Sequence, residues 1–281
     1  MPLKFHKYQN CGNDFIIIDN EENSTSENEL KELSKDILIR KYGIGADNVL
    51  FLIKDDYFFM RIYNTTDIEG SMCGNGSLCI MKYLNKKYNK DGFTLKTIGG
   101  EFKIKKHNEE NNNYSVNLGK LKNTYKEVKE FLNLNLKDDQ ETININLNIT
   151  EGFLKDKKVS VVSLGEPHLI LFDDNLDNLD MKKLGDEVNS YKDIFPKNIN
   201  LTIVSIINND TIKVRFFERG CFDETDACGT GSSCAALVTN LLHKTSNTLS
   251  IKTKGGLLKI NIDNNEATLF GNPKEVFSGE I

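Results

Sequence analysis

"MCGNGSLCIMKYL" (72–84) and "ACGTGSSCAALVT" (227–239) are two copies of one pattern. Each reads Cys-Gly-polar-Gly, and each has a second cysteine six residues after the first. Glycines after a cysteine let the backbone turn tightly and leave amide N–H groups uncovered. The residues that follow, to Tyr88 in the first copy and Lys244 in the second, place apolar side chains at helical spacing. Each copy is therefore expected to be a strand-to-helix turn with a thiol at the helix N-terminus, where the macrodipole lowers a thiol pKa.

The echo extends outward from these turns. "RIYN" ends nine residues before Cys73, and "RFFE" ends ten before Cys228. "TLKTIGGEFKIK" (94–105) and "LSIKTKGGLLKIN" (249–261) each read as a strand, a Gly-Gly hairpin turn and a second strand. Upstream, "CGNDFIIID" (11–19) has its counterpart in "LGEPHLILF" (164–172). Four landmarks recur in one order at an offset of about 150 residues, a long-period self-similarity that implies two similar α/β halves. "SENELKELSKDILIRKY" is expected to be a helix capped near Ser26 and ending at Gly43, and "MKKLGDEVNSYKDIF" its second-half counterpart. "NVLFLIK", "FFMRIYN", "KVSVVSLG" and "IKVRFFERG" read as strands, while the Asn-rich stretches at 108–113 and 144–150 read as surface loops or linkers. The expected division is an N-terminal half, 1–119, completed by a C-terminal strand within 268–281, and a C-terminal half, 120–267.

Composition narrows the function classes. The 281 residues are 38% hydrophobic and 27% charged, ordinary for a soluble globular chain of two medium cores. The net charge is −5, and no stretch concentrates enough Lys and Arg to face a nucleic acid. "MPLKFHKYQN" lacks the apolar core of a secretory signal and no apolar run approaches bilayer length, so the expectation is a cytoplasmic protein with no membrane partner. In that compartment the six cysteines are expected as thiols. They lack C-x-x-C spacing, so no metal site is expected. Cys79 and Cys234 read as small buried residues on the core face of their helices, and Cys11 and Cys221 as loop residues without a role.

Pseudo-symmetry implies two helix N-termini directed at one cleft, each bringing a cysteine and a fan of N–H groups suited to a carboxylate. A thiolate on one side of a carbon and a thiol on the other form a base and an acid, the pairing needed to invert a stereocentre. The carbanion would be stabilised through its carboxylate, in the manner of an oxyanion hole, without a metal or organic cofactor. A cysteine nucleophile would need a base and an orienting group but no second copy of itself. Neither turn matches a phosphate-binding glycine motif. A purely structural turn accounts for either copy alone, and the matched duplication argues against it.

"NCGNDFIIID", "GIGADN", "MCGNGSLC", "GEPH" and "ERGCFDETDACGTGSSC" together resemble the diaminopimelate epimerase family, from Lys7 to the C-terminal "GNPKEVFSGEI". The resemblance implies a pyridoxal-phosphate-independent, two-cysteine epimerase that interconverts LL- and meso-diaminopimelate on the route to lysine and peptidoglycan. It implies an α/β (α+β) fold of two pseudo-symmetric halves, each a mixed or antiparallel β-sheet wrapped around a central helix, with the active site in the cleft between them. By the same resemblance Cys73 and Cys228 are the acid/base pair, and Gly74, Asn75, Gly229 and Thr230 hold the reacting carboxylate. Asn13, Asn48, Asn64, Glu166, Asn200, Glu218 and Arg219 fall at substrate-contacting positions, and His168 and Glu218 at positions that tune the cysteines. Arg219 suits the distal carboxylate of a diacid and Glu218 an ammonium; the structural alternative for Arg219 is an ion pair with Glu218 or Asp223.

The chain also departs from the family pattern. The usual Asn-Pro-His is Glu166-Pro167-His168, the usual Asn-Ala-Asp-Gly-Ser is Asn64-Thr65-Thr66-Asp67-Ile68, and Asn48 stands where Gly or Gln is usual. A glutamate near the distal end repels a second carboxylate unless a cation intervenes. A related racemase acting on histidine or another cationic amino acid is therefore the alternative, and an amino-acid-binding protein without turnover a further one. The expected partner is a small-molecule amino acid, with the chain standing as a monomer or a homodimer.

Overall fold

The structure, a computed structural model, describes residues 2–23, 26–65, 69–107 and 114–281. The Asn-rich stretch at 108–113 and the Thr66–Ile68 part of the altered segment lie outside the described residues. The chain divides into two compact units, residues 1–117 with 270–281, and residues 118–269.

The first unit holds β1 (Lys4–Asn10), β2 (Asn13–Asp19), α1 (Glu27–Ile37), β3 (Asn48–Lys54), β4 (Phe58–Tyr63), α2 (Gly74–Tyr88), β5 (Gly92–Thr97) and β6 (Gly100–Lys106). β7 (Tyr114–Lys120) carries the chain into the second unit, which holds α3 (Tyr125–Val128), β8 (Ile145–Asn146), β9 (Lys158–Leu164), β10 (Glu166–Phe172), α4 (Met181–Ser190), β11 (Asn200–Asn208), β12 (Thr211–Glu218), β13 (Asp223–Thr225), α5 (Gly229–His243), β14 (Thr248–Thr253) and β15 (Gly256–Asp263). β16 (Glu266–Gly271) leads back, and β17 (Lys274–Glu280) pairs with β1 of the first unit.

The two units repeat one topology. β2 and β10 each run through a helix, α1 or α4, into a parallel neighbour, β3 or β11. An antiparallel strand follows, β4 or β12, which pairs in parallel with β5 or β14 beyond the long helix α2 or α5. The hairpins after those helices share one register, Thr97 opposite Gly100 and Thr253 opposite Gly256. Only the first glycine of each Gly-Gly pair lies in the turn; the second opens the next strand at φ +135 or +148, a backbone that L side chains rarely adopt.

Each sheet packs helices on both faces. In the first unit Ile16 and Ile18 of β2 join Leu30 and Ile37 of α1 in one core. Strand alternation turns Phe15 and Ile17 to the opposite face, where α2 lies against β1, β2, β5 and β6. With both faces covered, the run Phe15–Ile18 is wholly buried, as a continuous apolar strand requires. In the second unit Met181, Leu184 and Val188 of α4 pack on Leu169, Leu171, Leu201 and Ile203. α5, buried at every residue from Gly229 to Thr239, is the central helix, in contact with β9 to β12, β14 and β15.

Two helices stop short of their sequence-derived ends. α1 is closed by the Ser26–Glu29 capping box at its start, but it ends at Ile37 rather than at Gly43. The chain turns back through Gly45 N–H to the Ile37 carbonyl (2.8 Å), and Gly45 takes a φ of +76. This turn carries Arg40 off the helix to two carboxylates described below. α4 ends at Ser190 because Asn189 bonds across to both backbone groups of Ile199 and the chain folds Phe195 into the core.

Candidate active site

Cys73 and Cys228 are the N-caps of α2 and α5, with extended backbones of φ −136, ψ 111 and φ −129, ψ 118. Each sulfur takes the place of an oxygen in a normal cap and accepts the N–H of the glycine three residues on, from Gly76 at 3.3 Å and from Gly231 at 3.4 Å. Both helices run 15 residues and close on a left-handed residue, Asn89 or Lys244. The glycines do not make the tight turn that the sequence implies: Gly74, Gly76, Gly229 and Gly231 lie inside the first helical turn. The second glycine of each motif is small because of its neighbours. A Cβ on Gly231 would lie 2.9 Å from the Phe216 ring and 3.0 Å from His168 Cε1, and one on Gly76 3.2 Å from Leu50.

In the first unit the cap belongs to a line of carboxamides. Asn13 Oδ1 accepts from Asn75 Nδ2 at 3.3 Å and from the Cys73 thiol at 3.9 Å. Asn75 Oδ1 accepts from Asn10 Nδ2 at 2.9 Å, and Asn75 and Asn10 are buried. Asn13 Nδ2 donates to Asp47 at 2.7 Å. Asn48 opens β3 opposite Phe15 of β2, and Asn64 directly follows β4.

In the second unit Cys228 is buried, and its sulfur lies 3.5 Å from Thr230 Oγ1. Thr230 Oγ1 contacts His168 Nε2 at 3.1 Å, and His168 Nδ1 contacts Thr202 Oγ1 at 3.0 Å. Burial, with the Arg219 charge adding, pushes the fully enclosed His168 down to about 3. A neutral imidazole has one N–H to give, so it links the two threonines and carries no charge toward Cys228. Arg219 follows β12. Its backbone N–H is held by Asn200 Oδ1 at 2.8 Å, and its guanidinium stacks 5.1 Å from the Phe131 ring. Its ion-pair partner is Glu166 at 2.9 Å, not Glu218 or Asp223, and its second arm donates to the Lys197 carbonyl at 3.1 Å. Glu218 accepts from Thr225 Oγ1 at 2.6 Å.

Sequence reasoning assigned no role to Asp47, Asn10, Thr202 or Thr225. Asp47 had a signal, since it stands in the quoted "GIGADN"; Thr202 is a lone hydroxyl in the apolar run of β11. Cys79 and Cys234 are wholly buried in α2 and α5, and burial raises both thiols well above the ordinary cysteine range. Among the described residues no group of three or more His, Cys, Asp or Glu is arranged to hold a metal ion, and no helix is long and apolar enough to cross a membrane.

This fold recurs in solved structures of distant sequence. A PhzF-family phenazine biosynthesis protein of Bacillus anthracis superposes with a TM-score of 0.68 at 14% identity, over all of this chain and 99% of that one. A hydroxyproline epimerase of Agrobacterium vitis, solved with trans-4-hydroxy-L-proline bound, gives 0.66 at 11% identity, over all of this chain and 91% of that one. The class is thus a fold of two similar halves, shared with known epimerases.

Sequence comparison is more specific. The diaminopimelate epimerase family profile matches residues 5–124 and 160–276. The diaminopimelate epimerase of Methanocella arvoryzae is 33% identical over 99% of this chain and 96% of its own length. That of Methanocaldococcus jannaschii is 31% identical over 99% and 98%. The chain belongs to the diaminopimelate epimerase family and is an isomerase.

Proposed function

We propose that the chain inverts the α-carbon of LL-diaminopimelate to give the meso isomer, with Cys73 and Cys228 as a two-base pair and no cofactor. The observation that carries this reading is the recurrence, in both units, of a cysteine N-cap whose sulfur accepts the N–H of a first-turn glycine. One thiolate removes the α-proton, and the electron pair of the broken C–H bond spreads into the adjacent carboxylate. That carboxylate sits in the N–H groups of Gly74, Asn75, Gly229 and Thr230, where a helix N-terminus favours negative charge. The opposite thiol then returns a proton to the other face, and the two sulfurs end with their protonation states exchanged. Atoms and charge balance without an oxidant, a metal or a carbonyl cofactor.

Asn13, Asn48, Asn64, Glu166, Asn200, Glu218 and Arg219 are the proposed contacts for the rest of the substrate. The Glu166–Arg219 pair supports the diacid over a cationic amino acid. Arg219 supplies the cation that offsets the Glu166 charge, and a guanidinium has donors beyond the two bonds it makes to Glu166 and Lys197. The test is incubation with LL-diaminopimelate in deuterium oxide. Deuterium must appear at the α-carbon as the meso isomer forms; binding without exchange would replace the epimerase reading with that of a binding protein.

A further inference from the structure

The direction of the Asn13 carboxamide is fixed from behind. A carboxylate has only acceptor sites, so the Asn13 group that faces Asp47 Oδ2 at 2.7 Å must be its NH2. The carbonyl oxygen then faces the other way, to Cys73 and Asn75 Nδ2. The same logic passes along the line and turns Asn75 Oδ1 to Asn10 Nδ2. Asp47 is itself held by Arg40 at 2.6 Å and by the backbone N–H of Asp14 at 3.1 Å. Asp14 returns the bond, accepting the Asp47 N–H at 2.9 Å, and is paired with Lys7 at 2.7 Å and with Arg40. Burial and the Asp14 charge raise the Asp47 carboxyl from its ordinary value, but two carboxylates against two cations leave the array balanced. Asp47 is therefore ionised across the neutral-to-basic range in which a thiol titrates, and its acceptor-only character holds there.

We propose that Asp47 is a positioning residue that sets the protonation of Cys73 through Asn13: by turning the carbonyl oxygen to the sulfur, it favours the thiol over the thiolate. A flipped Asn13 would present its NH2 to the sulfur and favour the thiolate instead. The inference concerns the protein without substrate, so it stands or falls apart from the proposed reaction. The other titratable groups around the array are Lys7 on β1, Cys11 just before β2, Asp14 on β2, Arg40 beyond α1, and Cys79 on α2.

The experiment is the pH dependence of iodoacetamide alkylation at Cys73, read by peptide mass spectrometry in wild type, Asp47→Asn and Asp47→Glu. Asp47 is 40% exposed, so its replacement opens no buried core. Asn at this position can offer its own oxygen or its own NH2 to Asn13, which frees Asn13 to flip. The midpoint of Cys73 alkylation should fall by about one pH unit, making the reaction about tenfold faster at a fixed pH below the midpoint. Asp47→Glu, which keeps an acceptor-only group, should restore the wild-type midpoint. General loosening would raise the plateau rate and leave the midpoint in place, and that result overturns the proposal. If Asp47→Asn does not fold, Asn13→Ala removes the oxygen that Asp47 turns to the sulfur; it must lower the same midpoint, and an unchanged value there overturns the proposal equally.

Discussion

Lowering the pH should weaken the second unit through one residue, His168. Its imidazole is wholly enclosed between Thr202 and Thr230, and the folded protein protonates it only near pH 3, against 6.5 for a solvated histidine. Between those two values the unfolded chain holds a proton that the folded chain does not, so stability rises with pH across the window. His168 therefore contributes its full share above about pH 6.5, and the share is lost as pH falls toward 3, at about 1.4 kcal/mol per pH unit. Going from about pH 7.5 to about pH 4.5 the loss is about 2.5 kcal/mol. The assay is urea unfolding at a series of pH values, followed by circular dichroism and fluorescence together, in wild type and His168→Gln. Glutamine can still bond to both threonines but does not titrate, so its stability should fall less over this interval by that amount, whatever its baseline. The comparison removes the contribution of every other titrating group. Equal pH slopes in the two proteins would mean that His168 takes up its proton as readily in the folded state as in the unfolded chain, and an enclosed imidazole kept neutral down to about pH 3 would have to be abandoned.

Three further outcomes follow from the same geometry. Cys73→Ala and Cys228→Ala should each abolish epimerisation, because each direction needs one acid and one base; Cys79→Ala and Cys234→Ala should keep activity and lose about 1 kcal/mol of stability. Gly231→Ala should cost about 1–3 kcal/mol in chemical unfolding, because a Cβ meets two buried rings, whereas Gly76→Ala should stay within about 1 kcal/mol, because its Cβ would meet only the flexible end of Leu50 at 3.2 Å and Cys73 Cβ at 3.3 Å; equal costs would contradict the packing argument. LL-diaminopimelate should exceed lysine in kcat/KM by roughly thirtyfold or more, the equivalent of about 2 kcal/mol for a distal carboxylate on Arg219, and a preference for lysine or histidine would overturn the substrate assignment.

What could be read from sequence was local or repeated. The cysteine caps, the hairpins and the strand before each helix recur at a fixed offset, so their existence followed from comparing the chain with itself. Misreadings came where a contact distant in sequence decided the outcome. The helical pattern continues through "LIRKY", past the end of α1 at Ile37, but the chain leaves the helix there and Arg40 pairs with Asp14, 26 residues away. For Arg219 the structural alternative is an ion pair with its sequence neighbours Glu218 or Asp223, yet the carboxylate it pairs with is Glu166, 53 residues off. Asp47 reaches Asn13 across 34 residues, and Thr202 reaches His168 across 34. No periodicity announces such partners, because a parallel strand pair with an intervening helix can set any residue of one strand beside the other.

The duplication explains the scaffold but not the chemistry built on it. Both caps offer a sulfur one glycine N–H in the same backbone geometry, so whatever distinguishes the two thiols must come from side chains that the repeat does not copy. Beside Cys73 stands a carboxamide oxygen, directed by Asp47; beside Cys228 stands a hydroxyl, linked to a neutral imidazole. A carboxamide oxygen can only accept from its sulfur, while a threonine hydroxyl can accept or donate. The Asn13 oxygen thus favours the thiol at Cys73, whereas the Thr230 hydroxyl accommodates either state at Cys228. The proposed two-base reaction, run in both directions, would need its two sulfurs to exchange roles, and a hydroxyl that can accept or donate would let one side follow the proton. Asp47 and His168 lie one residue behind the groups that touch the sulfurs, which is why substitutions there should change how the thiols titrate without removing either thiol.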